Sequence, residues 1–423
     1  MSCEIEPFLS CEDARLIAAQ FGTPVFVYDE KRLREKAREA LAFPAVFGLT
    51  VRFAMKACGN RNILRIFHDT GIEFDASSGF EADRALLAGI PAEKIMLTAQ
   101  ELPEHLEELL NSGIQFNASS LYQLEVFGML FPGRETGIRI NPGIGSGSTN
   151  RTNVGGPSAS FGIWHEDIDK IKHICAKYKL KIIRIHTHIG SGSDPEVWQR
   201  AAGMSLQCVE LFPDAYVLNL GGGYKVGRVP GEKSTELHTI GLPILNLIKD
   251  FHRITGREIK LEIEPGTFLT ANAGAVLARV QDTAYTGSGG YHFIKLDCGM
   301  TDILRPSLYG AQHPITLVPA MDRARGEEMQ YLAAGHCCES GDILTPAPGD
   351  SEGLKTRMLQ KAARGDLVII GGAGAYVSSM CAKNYNSFPE SAEVLKRADG
   401  TFCRIRKKQT LEQIIQNEED AGF

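Results

Sequence analysis

The sequence predicts an α/β protein, a (β/α)8 TIM-like barrel followed by a C-terminal all-β domain, and three observations predict it. From about residue 50 to 265, eight short β-rich runs alternate with helical patterns. Those runs are apolar through most of their length, as parallel strands covered on both faces must be. After Gly266 the alternation stops, and strand-like runs separated by Gly, Pro and Asp clusters take over.

In order, the eight runs are Thr50–Lys56, Ile72–Asp75, Lys94–Thr98, Ile114–Asn117, Gly137–Asn141, Lys181–His188, Tyr216–Leu220 and Lys260–Glu264. Between them lie amphipathic segments. Pro103–Gly113 carries Leu106, Leu109 and Leu110 on one face, and Asp167–Lys179 carries Ile168, Ile171, Cys175 and Tyr178 on one face. Gly71, Gly89 and Gly113 stand where helix C-caps belong. The later β runs are Ala275–Val280, His292–Leu296, Pro314–Val318, Leu367–Ile370 and Phe402–Arg406, and the early run Pro24–Tyr28 is free to join their sheet. The barrel is assigned to residues 36–275, and the β-rich domain to residues 1–35 with 276–423.

Composition narrows the function. The chain has 423 residues, 43% hydrophobic and 23% charged, so it has enough apolar mass for a large core and is not disordered. A net charge of -6 leaves no basic excess for a phosphate backbone, so no nucleic-acid partner is expected. Ten cysteines without a CxxC pair support neither a disulfide framework nor a structural zinc site. No stretch of 18 apolar residues occurs, and Met1–Gln20 lacks a basic and apolar leader, so a cytoplasmic protein without membrane contact is expected.

In such a barrel the active site lies at the C-terminal ends of the strands, with a phosphate site often built after strands seven and eight. Lys56, Asp75, His188 and Glu264 end runs one, two, six and eight, and Gly221, Gly222 and Gly223 follow run seven. A lone Lys closing an apolar strand is costly unless paired or used, though a single such Lys could equally snorkel to solvent. Three glycines let backbone N–H groups approach an anion, and Ser191 on the neighbouring loop adds a hydroxyl; a tight turn would explain the triplet equally well. His186 points to the same face as His188. An amine, a phosphate cradle and a carboxylate on one face meet the needs of pyridoxal phosphate, with Lys56 forming an imine and Glu264 keeping the pyridine nitrogen protonated. There is no HExxH, no clustered His/Asp set and no Walker A sequence, so no metal is expected.

Seven ordered motifs carry a family resemblance: Phe53–Lys56 (FAMK), His188–Gly192 (HIGSG), Leu220–Tyr224 (LGGGY), Glu264–Gly266 (EPG), Leu304–Gly310 (LRPSLYG), Cys338–Asp342 (CESGD) and Gly374–Tyr376 (GAY). Together, from about Phe21 to Thr410, they resemble the fold-type III pyridoxal-phosphate decarboxylases, whose plan is alanine racemase-like. Within these, the chain resembles the branch that decarboxylates meso-diaminopimelate to L-lysine, the last step of lysine biosynthesis. The resemblance implies that Lys56 carries the cofactor, His188 stacks on its ring and Asp75 lies near the imine. It implies that Ser191, Gly221, Gly222, Gly223 and Tyr376 bind the phosphate, and that Glu264 pairs with the pyridine nitrogen. Arg305, Tyr309, Glu339 and Tyr376 would recognise substrate. Cys338 and Glu339 would cross a homodimer interface, Cys338 as proton donor, so that the active sites are shared. A distal end bearing both ammonium and carboxylate needs an acid and a guanidinium together, whereas ornithine or lysine would need only the acid.

Two positions depart from the family pattern. Thr267 follows Glu264–Gly266 where an Arg is usual, and Ser160 precedes Phe161-Gly162 where Lys is frequent. Either another arginine substitutes, with Arg139 a candidate, or the substrate is presented differently. Thr267 is the main argument for the alternative of a related decarboxylase acting on carboxynorspermidine, a D-amino acid or a natural-product intermediate. A catalytically dead regulatory paralogue is the reading from another class, and intact Lys56, Glu264 and Cys338 argue against it. The Gly143–Gly156 segment, rich in Gly, Ser, Thr and Asn, has the composition of a mobile lid or of a solvated connection.

Overall fold

The computed structural model describes residues 7–145, 155–188, 190, 192–320 and 327–423. Ser191 and most of the Gly143–Gly156 segment lie outside the described residues.

The chain divides into two compact units, one of residues 33–226 and 233–269, the other of the remainder, including the short piece Gly227–Glu232. The barrel of the first unit is built of eight parallel strands, β1 (Leu49–Ala54), β2 (Glu73–Ala76), β3 (Ile95–Leu97), β4 (Gln115–Ala118), β5 (Glu135–Asn141), β6 (Lys181–Thr187), β7 (Val217–Asn219) and β8 (Lys260–Ile263), with the two-residue strand Ile163–Trp164 paired alongside the end of β5. Each pairs in parallel with its neighbour, and β8 pairs with β1 through Leu261 opposite Leu49, which closes the barrel. All eight predicted runs are therefore strands, because a strand buried on both faces leaves a continuous apolar signal. Helices follow them where the amphipathic segments stand, including Leu106–Asn111 and Ile168–Tyr178.

Side chains two apart on a strand share a face, and the barrel interior uses this to stack two polar layers. In the lower layer Arg52 (β1), Gln115 (β4), Arg184 (β6) and Glu262 (β8) meet inside the barrel; Arg52 and Glu262 stand on neighbouring strands, and the other contacts reach across the interior between strands that are not adjacent. Arg52 Nη2 lies 3.1 Å from Glu262 Oε1, Arg184 Nε 2.8 Å from Glu262 Oε2, and Arg184 Nη2 2.7 Å from Gln115 Oε1. Arg52 also lies 3.1 Å from Glu73 on β2. Two residues further along, Asp75, Asn117, Arg139, His186 and Glu264 form the upper layer.

In the second unit Val25–Asp29 pairs antiparallel with Gly274–Tyr285 and parallel with Ala392–Lys396, so the early run does join the later sheet. The predicted runs beyond Gly266 are strands as well. The sheet also contains Glu328–Ala334, Arg357–Gln360 and Ala392–Lys396, whose mixed sequences carry no period-two signal. Ile17, Val27, Leu277, Val318, Ile369 and Val394 pack into its core. Among the described residues, no helix is long and apolar enough to cross a membrane.

Burial would push the Glu262 carboxyl up, but the guanidiniums of Arg52 and Arg184 outweigh it and hold it at about 2, against an ordinary 4.5. Between those values the unfolded chain binds the proton and the native chain does not, so stability should fall as pH drops through this window, by about 3 kcal/mol from this group. Glu262→Gln should lose about 3–5 kcal/mol at neutral pH, having left guanidinium charge buried without its partner, and should show a shallower acid dependence. Urea unfolding at pH 7 and at steps between pH 4.5 and 3 measures both.

Candidate active site

Five of the predicted groups, Lys56, Asp75, His188, the Gly221–Gly223 triplet and Glu264, meet at the C-terminal mouth of the barrel. Lys56 does not end a strand: β1 stops at Ala54, and Lys56 stands in the single 3-10 turn Met55–Ala57, exposed at the mouth. Ala54 N–H donates to Pro265 O at 3.4 Å, so the turn carrying Lys56 is tied to the segment just after Glu264. Asp75, 4% exposed, is the penultimate residue of β2. Burial, reinforced by the neighbouring Glu264, raises its pKa well above the usual carboxylate range, and the Lys56 ammonium opposes the shift. Its Oδ1 is buried and has no hydrogen-bond partner.

Glu264 follows directly on β8 and is also pushed up by burial, with the Asn219 amide, Arg139 and Lys56 acting the other way. Asn219, the last residue of β7, holds it in place. Its Nδ2 donates to Glu264 Oε1 at 2.7 Å and more weakly to Glu262 Oε2 at 3.3 Å, while its Oδ1 accepts the Gly221 N–H at 2.8 Å. One side chain thus joins the acid, the ion-pair layer beneath it and the first of the three glycines. The sequence reading missed Asn219, although its place two residues before the triplet was a usable signal.

His188 follows β6. The Gly190 N–H donates to its Nδ1 at 3.1 Å, and burial followed by the Arg139 and Lys56 charges keeps the ring neutral, so its proton sits on Nε2. His186, two residues earlier, accepts from the Asn117 amide at Nδ1 (2.7 Å) and directs Nε2 toward Glu264 Oε2 at 3.4 Å. Burial keeps His186 neutral too, so its Nε2 faces Glu264 as an N–H and not as a cation, without a hydrogen bond between them.

The glycine triplet is shaped by its neighbours. A Cβ on Gly221, where φ is +67°, would fall 2.7 Å from His188 Cγ, and a Cβ on Gly222 would fall 2.4 Å from Glu264 O. Gly221 O accepts the Glu264 N–H at 2.8 Å, and Gly223 O accepts the Gly192 N–H at 3.1 Å, which joins the loops after β6, β7 and β8. Gly192 O accepts from Trp198 Nε1 and Thr235 Oγ1, each at 3.2 Å, and the Trp198 ring stacks on Tyr224 with centroids 4.6 Å apart. An exposed amine, an unpartnered buried carboxyl oxygen, an anchored acid and a side-chain-free cradle fit pyridoxal phosphate: Lys56 could hold its aldehyde, Glu264 its pyridine nitrogen and Gly221–Gly223 its phosphate. Arg139 belongs to this cluster, with its guanidinium 5.0 Å from the Phe161 ring centroid and its charge acting on Glu264 and Asp75.

The remaining predicted residues lie in the β-rich unit. Arg305 and Tyr309 begin and end the one-turn helix Arg305–Tyr309, with the guanidinium 5.9 Å from the Tyr309 ring centroid and Nε buried without a partner. Tyr376 sits at φ 55°, in the left-handed region, and its hydroxyl acts on the Arg305 charge. Cys338 and Glu339 are exposed; the Cys338 N–H donates to Asn386 Oδ1 at 2.8 Å, and Glu339 Oε1 accepts the Gly341 N–H at 3.1 Å.

Residues 31–271 match the family model for the pyridoxal-binding domain of pyridoxal-dependent decarboxylases. The chain is 35% identical over 417 residues to diaminopimelate decarboxylase of Escherichia coli K12, covering 96% of each, and 30% identical over 419 residues to that of Methanothermobacter thermautotrophicus, covering 96% of this chain and 94% of the relative. A crystal structure of a diaminopimelate decarboxylase superposes with a TM-score of 0.90 at 33% identity, covering 98% of this chain and 97% of that one. The Helicobacter pylori enzyme in complex with L-lysine superposes at 0.81 and 26% identity, covering 95% and 98%.

Gly222→Ala should separate a cradle from a plain turn. The added methyl collides with the Glu264 carbonyl, so affinity for pyridoxal phosphate should fall at least about tenfold. Absorbance titration of the stripped protein measures it, and unchanged affinity would show that the triplet does not face the cofactor.

Proposed function

The chain belongs to the diaminopimelate decarboxylase family of pyridoxal-dependent decarboxylases, and from that membership we infer that it converts meso-diaminopimelate to L-lysine and carbon dioxide, the last step of lysine biosynthesis. The observation that carries the reading is the meeting of Lys56, Asp75, Glu264 and the Gly221–Gly223 cradle at one barrel mouth. Pyridoxal phosphate, when bound, supplies the electron sink that takes up the pair left on the substrate Cα as carbon dioxide departs.

The protein's own groups do the rest. Lys56 anchors the cofactor through Nζ. Glu264, fixed by Asn219, would hold the proton of the pyridine nitrogen, and burial makes its carboxylate keep a proton more firmly than water would. His188, neutral and clamped by the Gly190 N–H, offers a flat face for the ring. Gly222 and Gly223 would offer backbone N–H groups to the phosphate, the Gly221 N–H being held by Asn219 Oδ1, while Ser191 would add its hydroxyl and Tyr376 a further donor. At the substrate's distal end Arg305 and Tyr309 meet the carboxylate and Glu339 the ammonium, a pairing that rejects substrates with only one of the two charges. Cys338 returns the proton to Cα.

We assign the working form as a cytoplasmic homodimer with shared sites. Cys338 and Glu339 are chemically suited to the reaction yet exposed on the single chain, as residues offered to a second copy would be, and the nine described cysteines are all free.

Purified protein given meso-diaminopimelate should release carbon dioxide and L-lysine, and should leave L-lysine, L-ornithine and carboxynorspermidine largely untouched. Lys56→Ala should abolish turnover together with the visible absorbance of bound cofactor. Preferred turnover of carboxynorspermidine would replace the substrate assignment.

The shared site makes a sharper prediction. Lys56→Ala and Cys338→Ala should each be poorly active, yet in a mixed dimer one site carries both lesions and the other none. One-to-one co-refolding makes about half the dimers mixed, so activity should rise to roughly a quarter of wild type. If subunit exchange is demonstrated and activity stays at the mean of the two variants, Cys338 acts within its own chain.

A further inference from the structure

The short piece Gly227–Glu232 interrupts the barrel sequence but belongs to the β-rich unit, and it carries an arginine that no motif singled out. Arg228 is 7% exposed. Its Nε donates to Gly372 O at 2.9 Å, and a Cβ on Gly372, where φ is +64°, would come within 2.9 Å of Arg228 Cγ and Cδ. The chain at Gly372 is therefore formed around the arginine stem. The fork beyond the stem is incomplete, because Nη2 is buried and has no hydrogen-bond partner.

A second incomplete donor lies in the same unit. Arg305 Nε is also buried and unpartnered, and the two guanidiniums act on one another: burial and then the Arg305 charge bring Arg228 down to about 9. Burial, followed by the Arg228 and Arg305 charges, keeps His313 neutral; its Nδ1 donates to Gly371 O at 2.9 Å. Glu232 is the carboxylate that acts on both arginines, and its Oε2 is engaged by the Arg228 backbone N–H at 2.8 Å. Both guanidiniums thus feel the charge of the same carboxylate, Glu232, and a buried positive excess with idle donors is expensive unless a bound anion completes it.

We propose that Arg228 and Arg305 form a binding site for a single anionic group of a bound small molecule, a carboxylate or a phosphate, with Arg228 as its buried, fixed donor. Arg305 supplies the second N–H from the start of its one-turn helix. Gly372 leaves room for the Arg228 stem, so the guanidinium is positioned before the anion arrives, and little conformational entropy is lost on binding. The choice of ligands to test rests on the decarboxylase reading, which leaves two sources for the anion, the distal carboxylate of the substrate and the phosphate of the cofactor.

The test compares full-length wild type, R228M and R228K in two arms. The first arm measures pyridoxal-phosphate affinity by absorbance titration, and KM and kcat for meso-diaminopimelate. R228M should weaken one of the two by about ten- to a hundredfold, with R228K recovering part of the loss. A loss confined to cofactor affinity assigns the phosphate; a rise in KM with a smaller change in kcat assigns the carboxylate. The second arm needs no catalysis: in protein stripped of cofactor, inorganic phosphate or pimelate should raise the Tm of wild type and not that of R228M. Wild-type cofactor affinity and KM in R228M overturn the proposal, as does an anion-induced Tm rise that survives in R228M. Should R228M fail to fold, a wild-type Tm indifferent to both phosphate and pimelate overturns it as well. Absence of lysine production by wild type would defeat the decarboxylase reading alone, since the Tm arm reports on the anion site independently.

Discussion

A carboxylate taken into the middle of a barrel must be neutralised there, and the organisation of this active site depends on how that is done. Glu262 is clasped by Arg52 and Arg184, and through them by Gln115 and Glu73, so five of the eight strands contribute to one charge-balanced layer. Such a layer gives little net stability over an apolar core of equal volume. It does dictate geometry, because each partner has one position in which all the charges are satisfied.

Asn219 transmits that geometry upward. It bonds Glu262 and Glu264 with the same amide nitrogen and the Gly221 N–H with its oxygen. The acid and the glycine triplet are therefore set by one side chain that rests on the ion-pair layer. The upper layer is balanced differently. Asp75 and Glu264, both pushed toward the protonated form by burial, face Arg139 and Lys56 in a pocket whose two imidazoles stay neutral. A group that brings its own positive ring nitrogen and its own negative phosphate suits such a pocket, since each charge meets a counterpart already in place.

The β-rich unit repeats the theme with the sign reversed. Arg228 and Arg305 are held by the fold, yet their donors are only partly used. Glu339 and Cys338 lie exposed on turns. In the barrel unit one side chain joins the acid to the glycine triplet, whereas in the β-rich unit Arg228 Nη2 and Arg305 Nε are buried without partners.

Much of this was legible in the amino-acid sequence. The eight barrel strands announce themselves because parallel strands covered on both faces must be apolar throughout, and their last residues point to the mouth because strand parity and barrel topology allow nothing else. That Lys56, Asp75, Glu264 and the glycine triplet share one end of the barrel was legible from position alone. What the sequence could not show depends on which distant residues meet. The strands Glu328–Ala334 and Ala392–Lys396 have half-polar sequences and are fixed by their pairing, with His292–Leu296 and Arg357–Gln360 for one and with Val25–Asp29 and Phe402–Arg406 for the other. Lys56 reads as a strand terminus, but the link from Ala54 to Pro265 places it in a turn. Arg228 reads as part of the barrel loop after the triplet, and only the tertiary structure assigns it to the other unit and leaves its Nη2 buried and idle. Periodicity records how each residue relates to solvent, and that is local. The pairing of buried charges is a property of the folded chain, because a buried donor or acceptor is satisfied by whichever group the fold brings within about 3 Å.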